Sequence, residues 1–241
     1  MLNFKIPIFM YHSIESMPKS TVMRSLHVPP KRFEFQMMLL KFMGYKGLSI
    51  DKLMPYLNGE KHGKVVGITF DDGYENNLIN AAPILKKYNF SATCYIVSSR
   101  IGSSNIWDSD KGITQRPLMS KKQITQWINL GMDIGAHTRT HCDLTKLQKN
   151  EIIEEINCSK SELEDYFEIF VTDFCYPYGY FNKQVSSLVE DAGFETATTM
   201  IRGKMNKEHD LFTMPRIPIN HHTLPHLFLA KILTKYEEKK S

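Results

Sequence analysis

Two adjacent carboxylates, Asp71 and Asp72, end the apolar run Val65-Val66-Gly67-Ile68-Thr69-Phe70, and Gly73 follows them. Like charges this close are tolerated when a cation neutralises one of them or when both are hydrated. The first case offers a metal ligand beside a general base. The second is a solvated Asp-Gly turn. A further set, His137-Thr138-Arg139-Thr140-His141, spaces two imidazoles at i and i+4. On a helix this spacing puts both rings on one face, within reach of a single ion. Unrelated surface histidines also produce it. His12 closes the run Ile6-Pro7-Ile8-Phe9-Met10-Tyr11 and is either a proton donor or an ordinary packed histidine. Tyr176-Pro177-Tyr178-Gly179 reads as a constrained turn. It either packs its tyrosines or turns a backbone N–H toward an oxyanion.

Each set follows a run with strand character, and helical patterns separate the runs. Strands are expected over 6–12, 65–70, 91–97, 132–136, 172–176, 196–201 and 212–219. Helices are expected over 32–43, 77–88, 120–130, 145–167, 182–192 and 224–236, with a short one capped by Asp51 and ending at Leu57. Pro83 interrupts the 77–88 pattern and moves its regular part later. Ser120 with Gln123 forms a capping-box signature. Long loops cover 13–31 and 98–118, the second carrying Trp107. Alternation of this kind predicts parallel βαβ units, hence an α/β fold of one domain, 1–241, closed as a barrel. In a parallel barrel every strand ends on the same rim, so the sets should meet there. One Asp with two His leaves metal positions open for water and substrate. Successive residues at a strand end point different ways, which frees the other Asp to take a proton.

The 241 residues carry a net charge of +4, with 42% hydrophobic and 23% charged residues. The lysines are scattered or in short pairs such as Lys86-Lys87, Lys121-Lys122 and Lys239-Lys240. They form no basic stripe, so nucleic acid is not an expected partner. Cys94, Cys142, Cys158 and Cys175 form no CxxC pair, which argues against a zinc ribbon or a disulfide framework. No run approaches the ~18 apolar residues of a transmembrane helix. The N-terminus shows no leader pattern, so a cytoplasmic location is expected, or an extracytoplasmic one if a leader was trimmed. The apolar segment 224–233 is expected to pack on the barrel, with peripheral membrane contact as the lesser alternative.

Together, Thr69-Phe70-Asp71-Asp72-Gly73, His137 to His141 and Tyr176-Pro177-Tyr178-Gly179 resemble the NodB-homology polysaccharide deacetylases, carbohydrate esterase family 4. Pro7 to His12, Phe33 to Met37 and Pro215-Arg216-Ile217-Pro218-Ile219 extend the resemblance over nearly the whole chain. It implies a distorted (β/α) barrel, usually of seven strands, that removes acetyl groups from N-acetylated carbohydrate with a divalent metal. Zinc is the expected ion, with Co2+, Ni2+ or Fe2+ as alternatives. Carried over, Asp71 is the catalytic base. Asp72, His137 and His141 are the metal ligands, and Tyr178 supplies an oxyanion N–H.

Two departures stand out. The family places an arginine that orients the base where this chain has Cys175, and Arg216 is the candidate to replace it. The family's acid histidine sits near the C-terminus in a motif missing here. His12 resembles the arrangement of the poly-N-acetylglucosamine deacetylase branch, where a first strand supplies that histidine. His221 and His222 are the runners-up. An O-acetyl esterase, a deformylase of a lipid-linked amino sugar, and a carbohydrate-binding protein with a decayed site are the competing functions.

Overall fold

In the computed structural model, the described residues are 5–238. The first four residues and the Lys239-Lys240 pair lie outside them. Eight strands occur among the described residues: β1 Ile8–Tyr11, β2 Lys46–Leu48, β3 Val65–Phe70, β4 Thr93–Ile96, β5 Asp133–Ala136, β6 Asp173–Cys175, β7 Thr196–Arg202 and β8 Met214–Pro218. The sheet order is β1-β8-β7-β6-β5-β4-β3, and a β1–β3 pairing closes it into a ring of seven. Every pairing is parallel. The short β2 lies beside the first half of β3, Lys46–Leu48 opposite Val65–Gly67. This is a distorted (β/α)7 barrel in a single domain.

The strands explain why a barrel forms. β1 and β3 are buried along their whole length. Runs without a polar face need cover on both sides, and an outer layer of helices supplies it. That layer is α1 Pro30–Phe42, α2 Ile50–Leu57, α3 Ala82–Tyr88, α4 Lys121–Asn129, α5 Lys149–Phe167, α6 Lys183–Asp191 and α7 Pro225–Leu233. Between β7 and β8 an irregular loop and the short 3-10 turn Leu211–Thr213 replace a helix, one source of the distortion. α7 sets Phe228 against Phe9 of β1, ring centroids 5.3 Å apart, so its apolar surface is used in packing. Among the described residues, no helix is long and apolar enough to cross a membrane.

Several boundaries differ from expectation. The cap of α2 is Ser49, and Asp51 sits inside its first turn. The 77–88 helix opens as a π turn, Asn77–Ala81, and becomes regular only at Ala82, with Pro83 in the first turn. The helical stretch runs on through the π turn, and the missing N–H of Pro83 interrupts its i to i−4 ladder there. α4 carries the full Ser120–Gln123 capping box. α7 stops at Leu233.

Register sets the working rim. Tyr11 pairs with Phe70, Ile96 with Ala136, and Ala136 with Phe174. His12, Asp71 and His137 are each the first residue past their strand, and Tyr176 follows β6, so all four stand on one end of the barrel.

The opposite end holds a different carboxylate. Asp173 opens β6, is buried, and accepts a hydrogen bond from Thr196 Oγ1 at 2.7 Å. Burial pushes its pKa up to about 7, against the Thr196 bond and with added repulsion from Asp133. The unfolded chain therefore loses this proton first as pH rises, and stability falls between about pH 4 and pH 7. Asp173→Asn is expected to be more stable than the parent at pH 8. The ceiling is about 4 kcal/mol, from about 1.4 kcal/mol per pH unit, with most of the gap gone at pH 4. Urea unfolding at the two pH values measures it.

Candidate active site

A cavity of about 270 Å³ opens on the working rim and is lined by His12, Asp71, Asp72, His137, His141 and Tyr178, among others. Backbone strain gathers there. Asp72 (φ 74°), Thr138 (φ 59°), His141 (φ 67°) and Tyr178 (φ 57°) hold left-handed conformations. For residues other than glycine each costs about 1–3 kcal/mol, and such strain concentrates at functional sites. The left-handed turn at Asp72, continued by Gly73 (φ 77°), sends the two aspartates in different directions. The strand pleat alone does not separate them.

Asp71 faces Arg216. The guanidinium makes two bonds to the carboxylate, Nη1 to Oδ1 at 2.6 Å and Nη2 to Oδ2 at 2.8 Å. It also donates to Thr69 Oγ1 (3.0 Å), the Thr199 carbonyl (2.9 Å) and Cys175 Sγ (3.3 Å). All five N–H donors are used. Arg216 lies in the middle of β8 and points into the barrel, not at a strand end. It reaches the space beside Cys175. Burial opposes ionisation of Asp71, but the charge and hydrogen bonds of Arg216 outweigh it and hold the carboxyl below its ordinary value. His12 Nε2 stands 3.9 Å from Asp71 Oδ2.

Asp72 faces the histidines. Its Oδ1 lies 3.5 Å from His137 Nε2 and 3.3 Å from His141 Nε2. The expected helical face is not what joins them, because 137–141 is a loop with left-handed residues at 138 and 141. Glu155 of α5 holds that loop. Its carboxylate accepts from the N–H groups of Arg139 (3.0 Å) and Thr140 (2.9 Å) and from the Thr140 hydroxyl (2.8 Å). The Thr138 hydroxyl accepts the His141 N–H at 2.9 Å.

This cluster fits a divalent cation. His137 Nδ1 lies 2.7 Å from the Cys175 carbonyl. A carbonyl only accepts, so Nδ1 carries a proton, and with a cation bound the ring would turn a bare Nε2 toward Asp72. The buried Nδ1 of His141 has no hydrogen-bond partner, which leaves Nε2 as its working atom. Charge-assisted N–H···O bonds run at about 2.7–2.9 Å, shorter than the distances seen. Ligands at 2.0–2.1 Å from one tetrahedral ion stand about 3.3–3.4 Å apart, which matches. Asp71, His137 and Cys175 also converge, but Arg216 already contacts two of those three groups and leaves a cation no place.

Aromatic rings wall the cluster. Trp107 stacks on His141 at 4.4 Å and 19°, and Tyr178 meets the other side edge-on at 4.7 Å. Tyr178 donates its hydroxyl to Asp108 Oδ1 at 3.2 Å. Gly179 is required by the same turn. Its φ is +71°, and a Cβ there would stand 2.5 Å from Met200 Cβ. Asp108 and Glu155 carry no sequence signal, and Trp107 stands out only as part of a long loop. A large aromatic in a loop of twenty-odd residues between β4 and α4 is the available signal. Of the histidines considered for the acid, His12 lines the cavity. His221 turns its backbone to Ser25 and Arg32, and neither it nor His222 is among the lining residues.

A family model described as polysaccharide deacetylase matches residues 58–197. The Bacillus subtilis protein YxkH is 30% identical over 90% of this chain and 72% of its own length. The chain belongs to the polysaccharide deacetylase family. The poly-beta-1,6-N-acetyl-D-glucosamine N-deacetylase of Staphylococcus aureus is 27% identical over 91% of this deacetylase and 77% of the relative. The Streptococcus pyogenes deacetylase PplD, solved in complex with acetate, superposes with a TM-score of 0.83 at 26% identity, covering 95% and 99% of the two chains. The deacetylase is thus an enzyme, a hydrolase of the kind its relatives are named for.

Removing Arg216 strands a buried carboxylate. Arg216→Met is expected to cost about 3–5 kcal/mol, the range for one broken partner of a buried pair. Asp71→Asn placed in that background should recover part of the loss. Denaturant unfolding of the two variants measures both effects.

Proposed function

We propose that the chain hydrolyses the N-acetyl amide of an N-acetylated sugar polymer, with one divalent ion held by Asp72, His137 and His141. The observation that carries this is the meeting, in one cavity, of a cation-fitting triad, a carboxylate kept ionised by Arg216, and His12. The poly-N-acetylglucosamine activity in the name of the S. aureus relative supports the substrate class. The acetate in the S. pyogenes complex supports the acyl group.

When bound, the cation supplies a Lewis acid beside the scissile carbonyl and eases loss of a proton from water. Asp71 takes the proton of the attacking water. Arg216 keeps that carboxylate charged and fixes both of its oxygens, so the base arrives ionised and oriented. The Tyr178 N–H, held by the left-handed turn, is offered to the oxyanion. His12 gives its proton to the departing amine nitrogen as the C–N bond breaks, leaving acetate and a free amine. Trp107 and Tyr178 exclude water from the His141 face.

About one divalent ion per chain is expected by elemental analysis, and it should be absent from Asp72→Ala and His137→Ala. Asp71→Asn should retain the ion yet lose about 10²–10⁴ in acetate release from an N-acetylglucosamine oligomer. An active Asp71→Asn sinks the base assignment, and a parent chain that takes up no ion sinks the mechanism. Equal release from matched N- and O-acetyl sugars would move the substrate class toward esters.

A further inference from the structure

The ladder between β1 and β3 ends where the Asp71 N–H bonds to the Tyr11 carbonyl at 2.9 Å. His12 is the next residue, and no strand pairing holds it. Three asparagine side chains take over. Asn77 Nδ2 donates to the His12 carbonyl at 2.8 Å. Asn76 accepts from the Ile14 N–H at 2.9 Å and donates to Ser13 Oγ at 2.9 Å. Asn80 Nδ2 donates to the Ile14 carbonyl at 2.8 Å. His27 Nδ1 meets Ser13 Oγ from the other side at 2.8 Å. The donors sit on the turn that leaves Asp71 and Asp72, and at this point the chain forms the π turn Asn77–Ala81. Single π turns joined to α-helices recur at functional sites.

Asn77 is fully buried, and its own Oδ1 has no partner. An unpaired buried acceptor costs about 1–3 kcal/mol. What the buried amide does make is the bond from Nδ2 to the His12 backbone.

We propose that Asn77, backed by Asn76 and Asn80, is a positioning residue that holds His12 where it can protonate the leaving amine. One continuous segment, 71–80, then carries the base, a metal ligand and the clasp on the acid. The inference rests on His12 being that acid. None of the three asparagines touches the metal ligands through a hydrogen bond, so the clasp acts on the acid alone.

The leaving group separates positioning from structure. An amide needs its nitrogen protonated on departure. The 4-nitrophenolate of 4-nitrophenyl acetate leaves without a proton. Asn77→Ala is expected to lower kcat on a β-1,6-N-acetylglucosamine oligomer about tenfold or more, with KM and metal content kept. Hydrolysis of 4-nitrophenyl acetate should stay within about twofold of the parent. Asn76→Ala, at a half-buried position, should show the same selective loss in weaker form and serves if Asn77→Ala does not fold. His12→Ala should show it in stronger form, and adding Asn77→Ala to it should cost nothing further on the oligomer.

Parallel loss on both substrates in the asparagine variants makes the trio structural and overturns the clasp, while a selective His12→Ala leaves the acid assignment standing. A His12→Ala without selectivity removes His12 as the acid and the clasp's purpose with it. A parent chain that releases acetate from the ester but none from the oligomer overturns the deacetylase reading first.

Discussion

The structure hangs on the Arg216–Asp71 pair. Both groups are buried, and removing two charges from water costs several kcal/mol per ion unless hydrogen bonds replace the lost hydration. Here they do. Asp71 receives two guanidinium bonds, and Arg216 spends its remaining donors on Thr69, Thr199 and Cys175. The Thr69 hydroxyl in turn donates to the Phe9 carbonyl of β1 at 2.8 Å. The pair therefore ties β8 to β3 through the barrel interior, while β1 lies between them in the sheet. It holds Asp71 ionised and braces the barrel interior at once. A carboxylate held this way cannot drift toward Asp72, so the two neighbouring aspartates keep separate partners.

Strain is the second constraint. Parallel strands deliver side chains to one rim but do not aim them at one point. The aiming is done by the left-handed residues at 72, 138, 141 and 178. They persist because their surroundings over-determine them. Glu155 grips the 139–140 backbone, Cys175 grips the His137 ring, and the Trp107 and Tyr178 rings enclose His141. The metal-fitting triad is thus held by groups on α5, β6 and the 98–118 loop as well as by its own strands.

Much of this was legible in the sequence, for one reason. A buried parallel strand shows as a continuous β-branched and aromatic run, and the residue after it must lie on the working rim. Asp71, His137 and His12 were placed that way. What escaped depends on the path of the loops. The i and i+4 histidines suggested a helix, and only the Glu155 and Thr138 bonds show why a loop brings them together instead. Cys175 in an arginine's usual place pointed to a missing charge. Arg216 was the candidate for that charge, and the structure adds the path by which its guanidinium crosses the barrel interior to Asp71. The asparagines after Gly73 look like ordinary polar helix residues until the end of the β1–β3 ladder is known.

The charged cluster and the outer wall of its cavity come from different layers. Asp71, Asp72 and His137 stand at buried strand ends, and the 138–141 loop brings His141 to them. The outer wall of the cavity comes from the 13–31 and 98–118 loops, through Met23, Ser25 and Leu26 on one side and Asn105, Trp107 and Ile113 on the other. These loops are fastened to each other. Arg116 pairs with Glu15 at 3.3 Å and contacts the Met17 sulfur, and the Arg116 N–H bonds to Asn105 Oδ1 at 2.5 Å. Glu15 and Met17 begin one loop and Arg116 nearly ends the other, so the two are joined at their bases, and Trp107 of the second carries the wall down onto the His141 ring.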